Sequence, residues 1–382
     1  MNQNLTQRVR SSFIEEFSTQ PLMVWAPGRI NIIGEHTDYN MGFVLPAAID
    51  RGIVLALERS ETEECTLVAT DVKESVSFKL SGNGYEFVKG WQGYFLGILK
   101  ELHKSGIKIT PFNLLFSGDI PAGAGLSSSA AIENAFIFSL NALFGLELSP
   151  MEMVRISHSA EQEYVGVQCG IMDQFASMFG KENHAIFLDC HSLKSELIPL
   201  NQHEYEWLLI DTSVKHSLAD SAYNQRRKSC EAVALELGTD SLREVTKEKL
   251  EQIRTLIPGK DFQKALFVLE ENERVIKAVE ALRKSDFKSL GRLMYESHQG
   301  LQLQYEVSCE ELDFLVEITH GQDCVLGSRM MGGGFGGCTL NLIKREDCNS
   351  FLKTASNEYE KRFGKAFTSF TVNLSEGCKL IL

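Results

Sequence analysis

Residues 26–40 decide how this sequence is interpreted, and they read Ala26-Pro27-Gly28-Arg29-Ile30-Asn31-Ile32-Ile33-Gly34-Glu35-His36-Thr37-Asp38-Tyr39-Asn40. They combine one cation, two carboxylates and an imidazole with glycines and apolar residues. A core strand cannot bury such charges unless each finds a partner, because an unpaired buried charge is costly. A ligand that carries hydroxyls and a phosphate would supply those partners. The stretch therefore predicts a polyol-binding loop in which Arg29 handles an anion.

A second segment, residues 118–133, follows a strand-like run and leads into an apolar, helix-like run. Its spaced glycines let the backbone approach a ligand closely, and N–H groups at a helix start attract anions. Serine also caps helices, but three consecutive serines, Ser127, Ser128 and Ser129, exceed what capping needs. We therefore predict a phosphate-binding loop, with an ordinary capped helix as the alternative. The sequence has no Walker A motif and no protein-kinase H-R-D or D-F-G motif, so a nucleotide would be bound by another scheme.

A third segment, residues 331–338, formally matches the G-x-G-x-x-G pattern through Gly332, Gly334 and Gly337. A dinucleotide-binding fingerprint runs from a strand into a helix, whereas a strand-like run, residues 339–343, follows these glycines. The segment therefore predicts a loop that supports an active site. A purely structural turn is the alternative.

The order of predicted elements favours an α+β fold over a doubly wound sheet, because strands and helices do not alternate regularly. At 382 residues the chain exceeds the size at which one core stops growing, so we expect two domains, residues 1–205 and 206–382. Predicted helices cover residues 6–18, 90–104, 128–180 and 219–300, with a break at Pro258-Gly259, and predicted strands cover parts of 22–57 together with 66–69, 75–79, 112–117, 339–343 and 369–374.

Composition excludes several classes of protein. A net charge of −13 argues against a nucleic-acid partner, whose phosphates need a basic face. No apolar run approaches the roughly 18 residues that a membrane span needs, and the N-terminus lacks the apolar region of a secretory signal. The nine cysteines are scattered and include no C-x-x-C pair, which indicates neither disulfides nor zinc. We expect a cytoplasmic protein, monomeric, with no membrane partner.

Together the three segments resemble the signatures of the galactokinase family, within the superfamily of galacto-, homoserine, mevalonate and phosphomevalonate kinases. Residues 34–39, Gly-Glu-His-Thr-Asp-Tyr, carry the likeness to galactokinases in particular, and residues 170–174 and 223–227 are similar as well. The resemblance implies two mixed α/β domains with the active site in the cleft between them, the N-terminal one of the ribosomal-protein-S5 type. It also implies magnesium-dependent transfer of the ATP γ-phosphoryl group to the C1 hydroxyl of galactose, the first step of the Leloir pathway.

The resemblance assigns the catalytic roles to two residues. Arg29 would stabilise charge on the transferred group, since its planar guanidinium suits phosphate oxygens. Asp173 would accept the proton, and we predict it in the first turn of a helix over residues 171–179, where the dipole favours an ionised carboxylate. A structural salt bridge for Arg29, and a simple helix-start charge for Asp173, are the alternatives.

The resemblance also implies the ligand contacts. Magnesium would be held by Ser129 and by Glu161, which we predict to project inward from a helix over residues 150–165 while Glu163 points away; a solvated Glu161 is the alternative. For His36, which the resemblance assigns to the sugar, the alternative is a buried core histidine with no ligand. The sugar would contact Glu35, His36, Thr37, Asp38, Gly170 and Tyr223, and ATP would contact Gly123, Ala124, Gly125, Leu126, Ser127, Ser128 and Ser129.

Two other functions share these motifs. An N-acetylgalactosamine kinase would differ in the room around C2 of the sugar. A regulator that binds sugar and ATP without turnover is the second possibility, but the intact run Ser127-Ser128-Ser129-Ala130-Ala131 favours an enzyme.

Overall fold

Residues 26–40 comprise the end of a long strand and most of the loop that follows it, which returns into a second strand. The computed structural model describes residues 2–80, 90–121, 123–201, 204–214 and 219–381, with the side chains of residues 219–221 left out. The elements up to residue 200 are α1 (Gln3–Phe17), β1 (Leu22–Asn31), β2 (Phe43–Val44), β3 (Pro46–Arg59), β4 (Glu64–Ala69), β5 (Glu74–Lys79), α2 (Gln92–Lys104), β6 (Phe112–Gly118), α3 (Ser128–Phe144), α4 (Pro150–Ala160), α5 (Met172–Phe179), β7 (His184–Asp189) and β8 (Lys194–Pro199).

The remaining described elements are mainly helical, and short 3₁₀ and π turns occur between elements. They are β9 (Tyr205–Asp211), α6 (Ala219–Glu236), α7 (Lys247–Gln252), α8 (Gly259–Arg283), α9 (Phe287–Leu303), α10 (Glu310–Glu317), β10 (Val325–Met330), β11 (Cys338–Lys344), α11 (Cys348–Phe363), β12 (Thr368–Val372) and β13 (Lys379–Ile381). None of the helices in the described part of the chain is long and apolar enough to cross a membrane.

The first sheet has six strands in the order β13-β1-β3-β6-β4-β5. Strands β1 and β3 pair antiparallel, with a register shift between Pro27 and Arg29. Helix α1 covers one face, where Val9 and Phe13 pack in one core with Trp25. Residues of α2, α3, α4 and α5 form the core on the other face. The sheet thus holds the start of the loop between two helical layers.

The second sheet has four strands in the order β10-β11-β9-β12, and a small sheet, β2-β7-β8, lies beside the first. Residues of β9 and β11 share one buried core with α8, α9 and apolar residues at the two ends of the loop, Ile32 and Leu45 among them. Tyr359 of α11 packs in a separate core with Leu208 and Ile210 of β9. The loop is therefore embedded where the two halves meet.

The α+β prediction is confirmed, and most predicted elements are present. Helix α8 begins at Gly259, directly after Pro258, as the predicted break requires. Strands β7, β8, β9, β10 and β13 were not predicted. The division between residues 205 and 206 stays a prediction, but the C-terminal strand β13 pairs with β1, so the end of the chain lies in the first sheet.

Helix α9 touches strand β10 at two glycines, without side chains between the backbones. A Cβ on Gly291 would lie 1.9 Å from the carbonyl oxygen of Leu326, and one on Gly327 would lie 2.4 Å from the Cα of Gly291. Only glycine allows this approach, which sets the position of β10 and of the site residue that β10 carries.

We expect Gly291→Ala to lower the free energy of unfolding by about 1–3 kcal/mol, because the added methyl group overpacks this contact. Helix propensity alone would predict the opposite result, since it favours Ala over Gly by about 1 kcal/mol. Urea unfolding measures the change. Gly259→Ala is the control, since a Cβ there meets no atom within 4 Å. A Gly291→Ala protein as stable as wild type would contradict the tight contact.

Candidate active site

A cleft of about 450 Å³ lies where three loops meet. We call them the first loop (residues 32–42), the serine loop (residues 119–127, of which Ala122 lies outside the described residues) and the glycine loop (residues 331–337). The cleft is lined by Arg29, Glu35, His36, Asp38, Tyr94, Pro121, Gly123, Ala124, Gly125, Leu126, Ser127, Ser128, Ser129, Glu161, Val165, Val167, Cys169, Met172, Asp173, Tyr223, Gly332 and Gly333.

Arg29 and Asp173 form a two-bond ion pair on the wall of the cleft. Nε of Arg29 donates to Asp173 Oδ1 at 2.8 Å, and Nη2 donates to Oδ2 at 3.0 Å. Nη1 donates to the carbonyl oxygen of Gly125 at 2.5 Å. Burial opposes the charge, but Asp173 and then Glu35 outweigh it and raise the pKa of Arg29. Arg29 thus ties β1 to the serine loop and to the first turn of α5, where Asp173 was predicted.

The serine loop leaves the first turn of α3 open. Ser127 has a left-handed backbone, with φ of +57°, and no side-chain cap at α3 occurs in the described part of the chain. Its hydroxyl instead donates to Asp173 Oδ2 at 2.5 Å. The capped-helix alternative is therefore wrong at Ser127. The first N–H groups of a helix have no partner within the helix, so they can bind an anion in the cleft.

Glu35 is fixed by a buried cation that the sequence interpretation did not identify. Nη2 of Arg329, in β10, lies 3.1 Å from Glu35 Oε1, and both side chains are at most 3% exposed. The same oxygen accepts a hydrogen bond from the N–H of Gly332 at 2.8 Å. Nη1 of Arg329 donates to the carbonyl of Asn31 at 2.7 Å.

Helix α8 holds the first loop from the other half of the protein. The N–H of Gly34 donates to Glu271 Oε1 at 2.9 Å, and Glu271 also accepts from Arg274 Nε at 2.6 Å. The hydroxyl of Thr37 faces the loop's own backbone, 2.8 Å from the carbonyl oxygen of Gly34 and 2.6 Å from that of Phe43. Thr37 therefore lies beside the cleft without lining it.

His36 and Asp38 are buried groups whose usual ionisation is suppressed. Burial, reinforced by Arg226, lowers the pKa of His36 to about 3. Burial, reinforced by Asp173, raises the pKa of Asp38 to about 7. A Cβ on Gly170 would lie 2.2 Å from Asp38 Cγ, so Gly170 leaves the space that Asp38 occupies.

Glu161 is buried at the end of α4, with 6% of its surface exposed. It accepts from Gln174 Nε2 at 2.6 Å, and the side chain of Ser129 also bonds it. Burial raises the pKa of Glu161. Glu163 instead pairs with Lys104 at 2.5 Å, at the surface. The prediction that these two glutamates point apart is confirmed, and the solvated alternative for Glu161 is wrong.

The oxygen atoms of Ser129 and Glu161 fit a hard cation such as magnesium. Glu161 forms no salt bridge with any described residue, although it is a buried carboxylate. The described residues include no group of three or more His, Cys, Asp or Glu side chains arranged to hold a metal ion. A metal ion here would need further oxygen ligands from phosphates and water, which is how magnesium is usually bound.

Comparisons with known proteins agree with this geometry. Residues 11–59 match the galactokinase galactose-binding signature, residues 93–181 the GHMP kinases N terminal domain and residues 278–359 the GHMP kinases C terminal family. The chain is 45% identical to a galactokinase of Thermosipho africanus over 356 residues, 93% of this chain and 99% of the relative. It is 38% identical to a human galactokinase over 385 residues, 99% of this chain and 97% of the relative. The chain belongs to the galactokinase family.

Solved structures extend the comparison to the fold. A crystal structure of Lactococcus lactis galactokinase complexed with galactose has a TM-score of 0.93 and 33% identity, and the match covers 98% of this chain and 99% of that one. A Methanococcus jannaschii mevalonate kinase, at 18% identity and a TM-score of 0.68 over 94% of this chain and 99% of that one, shares the fold. The resemblance to galactokinases and the two-domain GHMP kinase fold are thereby confirmed.

Several residues of this galactokinase-family site had no local signal in the sequence. Arg329 and Glu271 each reach the first loop from elements far along the chain. Glu133 is fully buried and accepts from Gln174 Nε2 at 3.0 Å. A buried glutamate in the apolar face of α3 was the one detectable clue, because such a group needs a polar partner.

We expect the ligand-free Asp38→Asn protein to gain stability relative to wild type as the pH rises. The wild-type carboxyl ionises near pH 4 in the unfolded chain and near pH 7 in the folded protein. Wild type therefore loses stability as the pH rises from about 4 to about 7. The variant does not titrate there. Relative to wild type, its free energy of unfolding should rise by about 1–3 kcal/mol between pH 5 and pH 8.

Urea unfolding at the two pH values measures this difference. Asp240→Asn, at an exposed carboxylate, is the control and should show no such change. An Asp38→Asn difference that is equal at pH 5 and pH 8 would contradict the raised pKa.

Proposed function

We propose that this protein is a galactokinase, which transfers the γ-phosphoryl group of ATP to the C1 hydroxyl of D-galactose. The observation that carries the proposal is the single cleft in which Arg29 and Asp173 lie between the serine loop and the first loop. Phosphoryl transfer needs positioning and charge neutralisation more than covalent chemistry. The cleft offers both, with anion-binding N–H groups on one side and acceptors for hydroxyls on the other.

The phosphate side would be formed by residues 123–129 and Arg29. The first-turn N–H groups of α3 are free to bind phosphate oxygens. Two of the five N–H bonds of the Arg29 guanidinium remain after its contacts with Asp173 and Gly125, and they would stabilise charge on the transferred group. Asp173 would accept the proton of the C1 hydroxyl, and its bonds to Arg29 and Ser127 hold it in one orientation.

Magnesium would be held by Ser129 and Glu161, together with phosphate oxygens of ATP and water. When bound, the ion neutralises phosphate charge. The buried Glu161 carboxylate, which lacks a cationic partner in the described part of the chain, supports this assignment. Gln174 keeps the carboxylate in place through its side-chain amide.

The sugar side would be formed by Glu35, His36 and Asp38, with Tyr223 above them. Buried carboxylates accept hydrogen bonds from hydroxyls and discriminate sharply, because a missing or inverted hydroxyl leaves a buried acceptor unpaired. Gly170 contributes by leaving room for Asp38, and Thr37 by fixing the loop. Their contacts thus differ from those expected of direct sugar ligands. We also infer a cytoplasmic monomer.

The two alternatives make different predictions in an ADP-release assay with a panel of sugars. We expect turnover with galactose to exceed turnover with N-acetylgalactosamine by at least about tenfold, since one unaccommodated group in a pocket costs about 1–3 kcal/mol. Preference for N-acetylgalactosamine would identify the other kinase. Binding of both ATP and galactose without ADP release would identify a non-catalytic regulator.

We expect Asp173→Asn to reduce kcat by about 10²- to 10⁴-fold, because general-base catalysis contributes that much, while ATP and galactose still bind. The amide keeps the shape of the side chain. Steady-state kinetics and calorimetry measure the two effects, with the exposed Asp240→Asn as control. Activity above a few per cent of wild type would remove Asp173 from the mechanism.

A further inference from the structure

A chain of buried hydrogen bonds runs from His36 into the second half of the protein. Nδ1 of His36 lies 2.8 Å from Tyr39 Oη, and Tyr39 Oη lies 2.7 Å from Tyr305 Oη. Tyr305 Oη lies 3.2 Å from Cys230 Sγ. All four side chains are buried. The first loop, helix α6 and the segment after α9 are thus connected through one polar chain.

His36 is held rigidly at the end of this chain. Its backbone is left-handed, with φ of +63°, and its carbonyl oxygen accepts from Asn40 Nδ2 at 2.8 Å. Its ring lies between two tyrosine rings, with centroids 4.8 Å from that of Tyr305 and 5.3 Å from that of Tyr223. The position of the ring is therefore set by the surrounding residues before any ligand binds.

The second ring nitrogen is left for a ligand. Nε2 of His36 is buried and has no partner of good hydrogen-bond geometry among the described residues. The backbone of Gly333 lies near the ring and offsets part of the lowering of the His36 pKa that burial causes. His36 lines the cleft, and its side chain is more than nine-tenths buried. A buried polar atom without a partner is costly, and a ligand hydroxyl would satisfy it.

The partners along the chain decide which nitrogen carries the proton. A neutral imidazole has one donor and one acceptor nitrogen, and that acceptor is stronger than the sulfur of Cys230. The favoured order of donation is therefore from Cys230 to Tyr305, from Tyr305 to Tyr39, and from the Tyr39 hydroxyl to Nδ1 of His36. Nδ1 then acts as the acceptor, so the proton of the neutral ring lies on Nε2.

We propose that Tyr39 and Tyr305 are positioning residues for the sugar. They fix His36 in the tautomer whose Nε2–H donates to a hydroxyl oxygen of galactose. The inference rests on the proposed function, because it requires the sugar in this cleft. Neither tyrosine touches the reacting atoms, so the expected effect is on galactose binding and not on the chemical step.

The kinetic test uses Tyr39→Phe and Tyr305→Phe, each of which removes one oxygen atom. We expect the KM for galactose to rise about tenfold in Tyr39→Phe and about threefold in Tyr305→Phe, the range of one lost neutral hydrogen bond. The kcat and the KM for ATP should stay within about twofold. Tyr295→Phe is the matched control, because Tyr295 Oη makes a 2.9 Å bond to Thr319 Oγ1 away from the cleft. An unchanged galactose KM in folded Tyr39→Phe would overturn the proposal.

The spectroscopic test needs no turnover. Nitrogen-15 NMR of histidine-labelled, ligand-free protein reports which ring nitrogen is protonated, and His36→Gln assigns the signal by its loss. We expect protonation on Nε2 in wild type and a mixture of tautomers in Tyr39→Phe. Protonation of Nδ1 in wild type would overturn the proposal.

The two tests separate this inference from the proposed function. Wild-type protein that does not phosphorylate galactose would overturn the proposed function and, with it, the sugar contact of His36. Normal wild-type turnover with an unaltered Tyr39→Phe enzyme would overturn the positioning role alone.

Discussion

The cleft depends on the ion pair between Arg29 and Asp173. One guanidinium joins the end of β1, the serine loop and the start of α5, and its two parallel bonds to the carboxylate fix angle as well as distance. The Arg29 side chain is 5% exposed and that of Asp173 24%, so removing Asp173 would leave a buried cation without its partner, which is destabilising. The serine loop is thus held against β1 and α5, and Ser127 adds to this arrangement by bonding Asp173 instead of capping α3.

Three further acidic side chains lie near this pair. Asp38, Glu133 and Glu161 are buried, and burial raises the pKa of each. The ionised forms of these groups are therefore destabilised in the ligand-free protein, where none of them forms a salt bridge with a described cation. Hydroxyls of a sugar and a magnesium–nucleotide complex would supply those partners. In this account the same groups that weaken the empty cleft give it affinity and selectivity for its ligands.

Sequence reasoning predicted what depends on short stretches of chain. The position of Asp173 in a helix start, and the opposite directions of Glu161 and Glu163, follow from local helix geometry. It did not predict β10, whose Gly, Ser and Arg residues interrupt the apolar pattern of a buried strand. It also missed the contact of Arg329 with Glu35, since nothing local indicates a partner in another domain. The sequence also did not indicate that the Thr37 hydroxyl bonds backbone carbonyl oxygens, because the path of the loop and not its composition determines where this hydroxyl points.

The most direct test of the central claim is a double-mutant cycle on kcat/KM with Arg29→Met and Asp173→Asn. Residues that act as one unit show strongly non-additive losses. We expect the double variant to be no more than about threefold slower than the slower single variant. Single losses that multiply in the double variant would contradict the claim, because they would show that Arg29 and Asp173 act independently.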